Sequence, residues 1–546
     1  MTPRRIEIAL RLGVHEKSAG QFFARKERPV VSRVSFDLVE RRWADVSWLD
    51  HLPGHPSRVG LRDLFVHAHE IKALTLTPAP FLSAMYRLLY AMTSRITGLD
   101  VLGENENEDD WLDRRSELAG QPLDPAVVDR YFDEMSGRLD LFHPERPFLQ
   151  DPRLADPEVC PKSAGVNKLV LGRPAGNNSV WFGHHWDAVP APVPTVEAFA
   201  ALLVWLYYGP SGRCATRKHG SVSAADVSAG PLRSSLSYHP EGATLLETLM
   251  AGLTPPPRKL RPGVDLCPWE LDELPDPLAP PPEPDPYPGL RSRLTGGWQH
   301  ALLLVPDETG ENVTDAFVTW GRRIKQPSTN DAYLIHQISQ QGNPYARPAD
   351  ASRDLWRDLD GLLQLKTTST AQPRRPEAFD TVDELGSGTF KVRALGFEQD
   401  GKTKDVQFVS SATPPLLFRI QEKDHRRARR IGDLRMFGEL YGRRLEYAAK
   451  RAWALVNSED KVSDCAWADH AAAAYWPLAE DIFWGRMRRE DYTDSWKPFL
   501  RAAASAFDEV TQGRIRSTRD ARAIEQARIE LYGGRRRTAA KPKRSS

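Results

Sequence analysis

The sequence predicts an α+β protein in which a large mixed α/β N-terminal domain is followed by a C-terminal four-helix bundle. At 546 residues, 40% of them hydrophobic and with 15 Trp, the chain is too long for a single ordinary core. Residues 298–305 and 312–320 are two apolar runs separated by a turn at 307–310, which is the pattern of an antiparallel hairpin. From residue 414 the character changes. Stretches 416–456, 464–487, 494–512 and 518–532 repeat apolar residues at helical spacing with short links between them, and such helices close on one another as a bundle. The implied division is a flexible extension over 1–33, the mixed domain over 34–412, the bundle over 413–534 and a basic, disordered tail over 535–546.

Along the chain, residues 34–39 (VSFDLV) read as the first strand, with 43–48 as a hairpin partner. Residues 61–73 and 81–96 carry apolar side chains at helical spacing. His67 and His69, two apart, face different ways on such a helix and read as structural. Residues 195–208 (TVEAFAALLVWLYY) form a buried helix with Thr195 as its N-cap and Gly209-Pro210 as its stop. Residues 209–230 mix glycine with Arg213, Arg217, Lys218 and His219 and read as flexible. Residues 242–253 read as another helix, and 254–288 as a proline-rich surface segment.

Residues 162–187 (KSAGVNKLVLGRPAGNNSVWFGHHWD) show neither helical nor strand spacing and read as a long, irregular, exposed loop. Its Gly, Asn and Lys suit a polyanion; an ordinary surface excursion is the alternative. Asn167 and Lys168 are expected to be exposed donors whose removal costs little stability.

Formal net charge is +1, so any nucleic-acid partner must be recognised by local clusters. The four cysteines are far apart, which argues against a zinc ribbon or disulfide scaffold. No apolar run reaches membrane length and the N-terminus has no signal-peptide core; a cytoplasmic protein without membrane partners is expected. Residues 385–392 (LGSGTFKV) match a kinase glycine-rich loop, but no β3 lysine, HRD or DFG motif follows, which excludes a kinase. That run reads instead as a turn whose backbone can approach another chain. Between Arg419 and Arg451 stand eleven Lys or Arg against five Asp or Glu. Arg426, Arg427, Arg429 and Arg430 form the densest cluster, either a solvated helix face or a phosphate contact.

The order of FDLVERRW at 36–43, FHPERPFLQ at 142–150, VNK at 166–168, TWGRRI at 319–324 and the terminal bundle resembles the large-subunit (CasA) family of type I-E CRISPR Cascade complexes. The resemblance spans roughly residues 34–535. It implies a DNA-recognition subunit and not an enzyme. Such a subunit would read the protospacer-adjacent motif (PAM) of double-stranded DNA, promote duplex opening and guide-RNA pairing, and present the target to the CRISPR helicase-nuclease. Implied partners are the other Cascade subunits and the guide RNA.

By the same resemblance, Val166, Asn167 and Lys168 form the PAM loop, with Gly165 where an aromatic is usual. Lys218, His219 and Gly220 match the glycine loop. Lys325, or Arg322 and Arg323, supplies the lysine finger. The wedge falls near Lys391, with Arg393 in place of the usual glutamine. The family's cysteine-rich motif is missing, so neither a structural zinc nor any other cofactor is expected. Two other classes stay open: a metal-dependent hydrolase or nuclease using His184 and His185, and a scaffold that binds only protein.

Overall fold

The computed structural model describes residues 34–50, 54–176, 180, 183–324, 330–339, 341–362, 374–385, 390–400, 404–414 and 425–534. Strand β1 (Ala44–Trp48) pairs antiparallel with β2 (Arg58–Val59). Helix α1 (Leu61–Val66) then leads to β3 (Ile71–Leu74) on the other side of β1. Three helices follow: α2 (Ala79–Ile96), α3 (Glu108–Ala119) and α4 (Pro125–Glu134). A single turn, α5 (Val166–Leu169), precedes β4 (Val193–Pro194), α6 (Thr195–Tyr208), and the hairpin of β5 (Gly212–His219) with β6 (Val222–Val227). Next come β7 (Leu236–Glu241), α7 (Leu245–Ala251), α8 (Leu290–Thr295), β8 (His300–Pro306) and β9 (Asn312–Trp320). A small hairpin, β10 (His336–Ile338) with β11 (Pro344–Ala346), and the single turn α9 (Leu359–Leu362) lead to β12 (Lys391–Asp400) and β13 (Lys404–Ala412). The chain ends in α10 (His425–Asn457), α11 (Ala466–Arg489), α12 (Trp496–Gln512) and α13 (Thr518–Arg528).

The mixed part is organised around α2. All of its residues except Ala79 and Arg95 are buried, as expected of a helix that is apolar on every face. It packs against α6, α7, α8 and β12. The one cation in its buried stretch, Arg87, is fully enclosed and answered by Asp331 at 2.7 Å, with further bonds to Ser83 and Ser237. Two three-stranded antiparallel sheets flank this centre, in the orders β4-β9-β8 and β13-β12-β7.

The hairpin of β8 and β9 stands where its alternating pattern places it, and the helices from residue 429 to 528 pack together as the bundle. Other expectations are corrected. Residues 34–39 are irregular and not a strand, because the Asp140 carboxylate gathers them by accepting from Ser35 Oγ and Phe36 N. Helix α1 stops at Val66, and the rest of the apolar run becomes β3. Thr195 is the first residue of α6, with Pro194 at its N-cap position; the Thr195 hydroxyl donates to the Gly310 carbonyl at 2.7 Å. Residues 212–227 form a hairpin where flexibility was expected, because buried Arg217 ties that hairpin to its neighbours.

The bundle core does not end at the bundle. Trp356, fully buried, packs against Trp476, Phe483 and Phe499. Arg357 lies 3.6 Å over the Trp476 ring and donates to Glu439 of α10. A Cβ on Gly438 would come within 2.5 Å of the Trp356 ring, so glycine there makes room for the tryptophan. One core therefore runs across residue 413.

Candidate nucleic-acid interface

Three of the predicted clusters gather around the sheet β4-β9-β8. The loop at 162–169 is held by Ala164 N donating to Ala316 O of β9. Gly165 then adopts φ +84°, in the left-handed region where a side chain is disfavoured; this is a physical reason for glycine at that position. The next four residues form α5.

Here the loop departs from the expected exposed, irregular form. Val166 and Asn167 are buried, and Asn167 Nδ2 donates to the Trp186 carbonyl at 3.0 Å, pinning the far end of the loop. Asn167 is a brace inside the loop. Lys168 is half-buried, its ammonium 5.7 Å over the Trp205 ring. Trp205 in turn packs edge-on against His300, whose ring burial depresses to a pKa of about 4. Imidazole therefore stays neutral beside Lys168 at neutral pH. His184 is exposed and His185 half-exposed.

The second cluster is the tip of the β5–β6 hairpin. Arg217 is fully buried, donating to Asp151 at 2.6 Å and to the Trp320 carbonyl at 3.0 Å. Burial alone would raise the Asp151 carboxyl, but hydrogen bonds and charge from Arg153 and Arg217 hold it below the usual range. With Arg217 turned inward, Lys218 points outward, exposed and without an ion pair among the described residues. His219 Nε2 lies 2.9 Å from Asp276 Oδ1. Gly220 takes φ +55° at the exposed turn, in the left-handed region that favours glycine, whose lack of a side chain leaves the backbone bare.

The third cluster follows β9 directly. The Arg323 guanidinium donates to Asp226 of β6 and lies 5.4 Å from the Trp320 ring, while its backbone N donates to Pro277 O. Arg322 is half-buried beside it. The 276–277 segment thus joins the hairpin tip to this corner. Lys325 lies outside the described residues.

Lys391 and Arg393 sit apart, on β12 of the other sheet. Both are answered by the buried carboxylate of Glu241, at 3.1 and 3.3 Å. Their charges are engaged by a residue to which sequence spacing pointed in no way, on a strand about 150 positions away. Glu241, Asp226 and Asp276 are the acids that tune this surface; only their spatial partners identify them. Arg429 and Arg430 are exposed on the first turns of α10, Arg426 is exposed as well, and the Arg427 side chain lies outside the described residues. Among the described residues, no group of three His, Cys, Asp or Glu is placed to hold a metal. No helix there is long and apolar enough to cross a membrane.

In fold, a mixed α/β body carrying a helical bundle is the architecture of CRISPR-associated CasA/Cse1 proteins. Thermus thermophilus CasA superposes with a TM-score of 0.69 at 20% identity over 91% of this chain and 98% of that one. Thermobifida fusca Cse1 gives 0.71 at 18% identity; at such identities the likeness concerns the fold alone. The model of the family described as CRISPR-associated protein Cse1 matches residues 37–511, and the chain belongs to that family. In sequence, the CasA/Cse1 protein of Thermus thermophilus is 27% identical over 500 residues, covering 86% of this chain and 91% of that protein. A chain of a CRISPR RNA-guided surveillance complex is 39% identical with a TM-score of 0.81, covering 91% of this chain and 100% of the other. A chain of such a complex in a pre-nicking state gives 39% and 0.73.

Proposed function

We propose that this chain is the large subunit of a type I-E CRISPR surveillance (Cascade) complex in the cytoplasm. In this reading it recognises the PAM in double-stranded DNA, promotes duplex opening and guide-RNA pairing, and presents the target to the helicase-nuclease. It acts by binding and carries no catalytic group of its own. The observation that carries the proposal is the 39% identity across the whole of a chain from a CRISPR RNA-guided surveillance complex.

The site supports a division of labour. The minor groove offers a degenerate pattern of acceptors, read by a few donors and by close backbone approach. Lys168 and Lys218 are donors that no acid neutralises among the described residues, and Gly220 supplies bare backbone beside Lys218. Arg322 and Arg323 flank the same corner. Lys391 and Arg393, clamped by Glu241, form a rigid polar ridge suited to a wedge. Arg429 and Arg430 crowd the positive end of the α10 dipole, where cations are disfavoured unless an anion joins them. Phosphates satisfy that requirement without regard to sequence.

The test uses assembled guide-RNA complexes carrying wild-type chain or Lys168→Ala/Lys218→Ala, titrated against matched, PAM-scrambled and bubbled DNA. Binding to the matched duplex should weaken by about 1–3 kcal/mol per lost base contact. Scrambled duplex should change much less, and the bubble should partly rescue the variant. Equal losses on matched and scrambled DNA would reduce these lysines to backbone holders; no loss on either would remove them from the interface.

A further inference from the structure

Next to the third cluster lies a cavity of about 1080 Å³, slightly above the usual range for a small-molecule site. It is walled by the proline-rich segment, the chain around Phe148 and the approach to β8. Trp269, Tyr287 and Trp298 line it, and Arg322 stands at its edge toward the basic corner.

Some of its lining donors have no partner among the described residues. The Tyr287 hydroxyl and the Trp298 indole N–H are buried and have no hydrogen-bond partner among the described residues. Burial raises the Tyr287 pKa, which keeps its proton in place. Arg322 makes no ion pair or hydrogen bond among the described residues. The acids of the wall are engaged: Asp151 by Arg153 and Arg217, and Asp276 by His219 and the Leu278 amide. Asp285 accepts from Tyr287 N, and it and Glu283 are exposed at the rim. A buried donor left unpaired costs roughly 1–3 kcal/mol. A ligand complementary to these donors is rich in acceptors and negatively charged. The aromatic wall, in which Trp269 packs against Phe148 at 5.5 Å and Trp298 stands edge-on to Tyr207 at 5.6 Å, asks for a flat π-surface as well.

Resting on the reading of this face as a nucleic-acid interface, we propose that the cavity takes one unstacked nucleotide, its base among Tyr287, Trp298 and Trp269 and its phosphate on Arg322. Base–aromatic contact of this kind tolerates any base, which suits a step that follows strand opening and does not read sequence. The ligand chemistry is that of a nucleotide, whether free or a unit of a single strand.

The full-length chain is titrated with a labelled deoxythymidine hexamer, with deoxythymidine monophosphate and inorganic phosphate as competitors. Tyr287→Phe keeps the ring and removes only the donor, Trp298→Phe removes the donor while leaving a smaller aromatic ring, and Arg322→Gln removes the charge. Melting temperatures verify that each variant is folded. The hexamer should bind, and each variant should lose about tenfold in affinity, equivalent to one hydrogen bond. Competition by the monophosphate supports the site with a free nucleotide as ligand; resistance to it supports a unit of a strand. Displacement by inorganic phosphate as effective as by the monophosphate overturns the proposal, because the base then contributes nothing. Unchanged hexamer binding in all three folded variants also overturns it. The two Phe variants are assayed in the assembled complex as well. Retained PAM discrimination alongside unchanged hexamer binding rejects the cavity and leaves the PAM reading standing. Loss of discrimination by Lys168→Ala/Lys218→Ala is the separate test of that reading.

Discussion

At the scale of single residues, burial separates supports from contacts. Asn167 is enclosed and bonded to the Trp186 carbonyl, so Asn167→Ala should destabilise the chain by about 1–2 kcal/mol, the cost of a buried hydrogen bond lost; denaturant unfolding measures it. Lys218 is exposed, and Lys218→Ala should leave stability within about 0.5 kcal/mol of wild type while weakening binding of the assembled complex to PAM-bearing duplex more than to scrambled duplex. His300 carries a pH prediction. Its folded pKa of about 4 lies below its ordinary 6.5, so the neutral form is favoured on folding. The stability it contributes is fully present above about pH 6.5 and is lost as pH falls through about 4. Unfolding curves between pH 7 and 4 should show that loss, and His300→Gln should reduce it.

At the scale of elements, the bundle depends on a side chain from outside it. Trp356 fills a space bounded by α10, α11 and α12. Trp356→Ala should cost about 3–5 kcal/mol, as for other large aromatic truncations. Gly438→Ala pushes a methyl into the same ring and should cost about 1–3 kcal/mol. A fragment beginning at Thr413 has the four helices but not the tryptophan. It is expected to be helical by circular dichroism and to melt well below the intact chain; a coil spectrum would reject the bundle as a folding unit.

For the whole molecule, net charge is nearly zero and any hold on DNA depends on where the cations stand. Reversing Arg426, Arg429 and Arg430 to Glu should weaken binding to every duplex about equally and flatten its dependence on salt. A loss confined to PAM-bearing duplex would make these residues readers and contradict the division of labour. Pairing with acids works the other way. Lys391 and Arg393 spend their charge on Glu241, so Glu241→Gln should loosen the start of β12, visible as faster amide exchange there.

Local spacing alone determined the elements whose periodicity is strong: α2, α6, the β8–β9 hairpin and the terminal helices. Those patterns are set by which side of a helix or strand must be dry, and that information lies within a few residues. The positions of the basic clusters were legible for the same reason. What each polar side chain does was not. Asn167 turned inward, Arg217 became a buried anchor, and Lys391 and Arg393 came to share one carboxylate, because their partners are Trp186, Asp151 and Glu241, brought near only by packing. The irregular 34–39 segment and the hairpin at 212–227 likewise follow from Asp140 and Trp320, distant in sequence. Trp356 completing a core that begins some seventy residues later is the same lesson. Periodicity encodes which faces are buried, and only the tertiary structure decides what they are buried against.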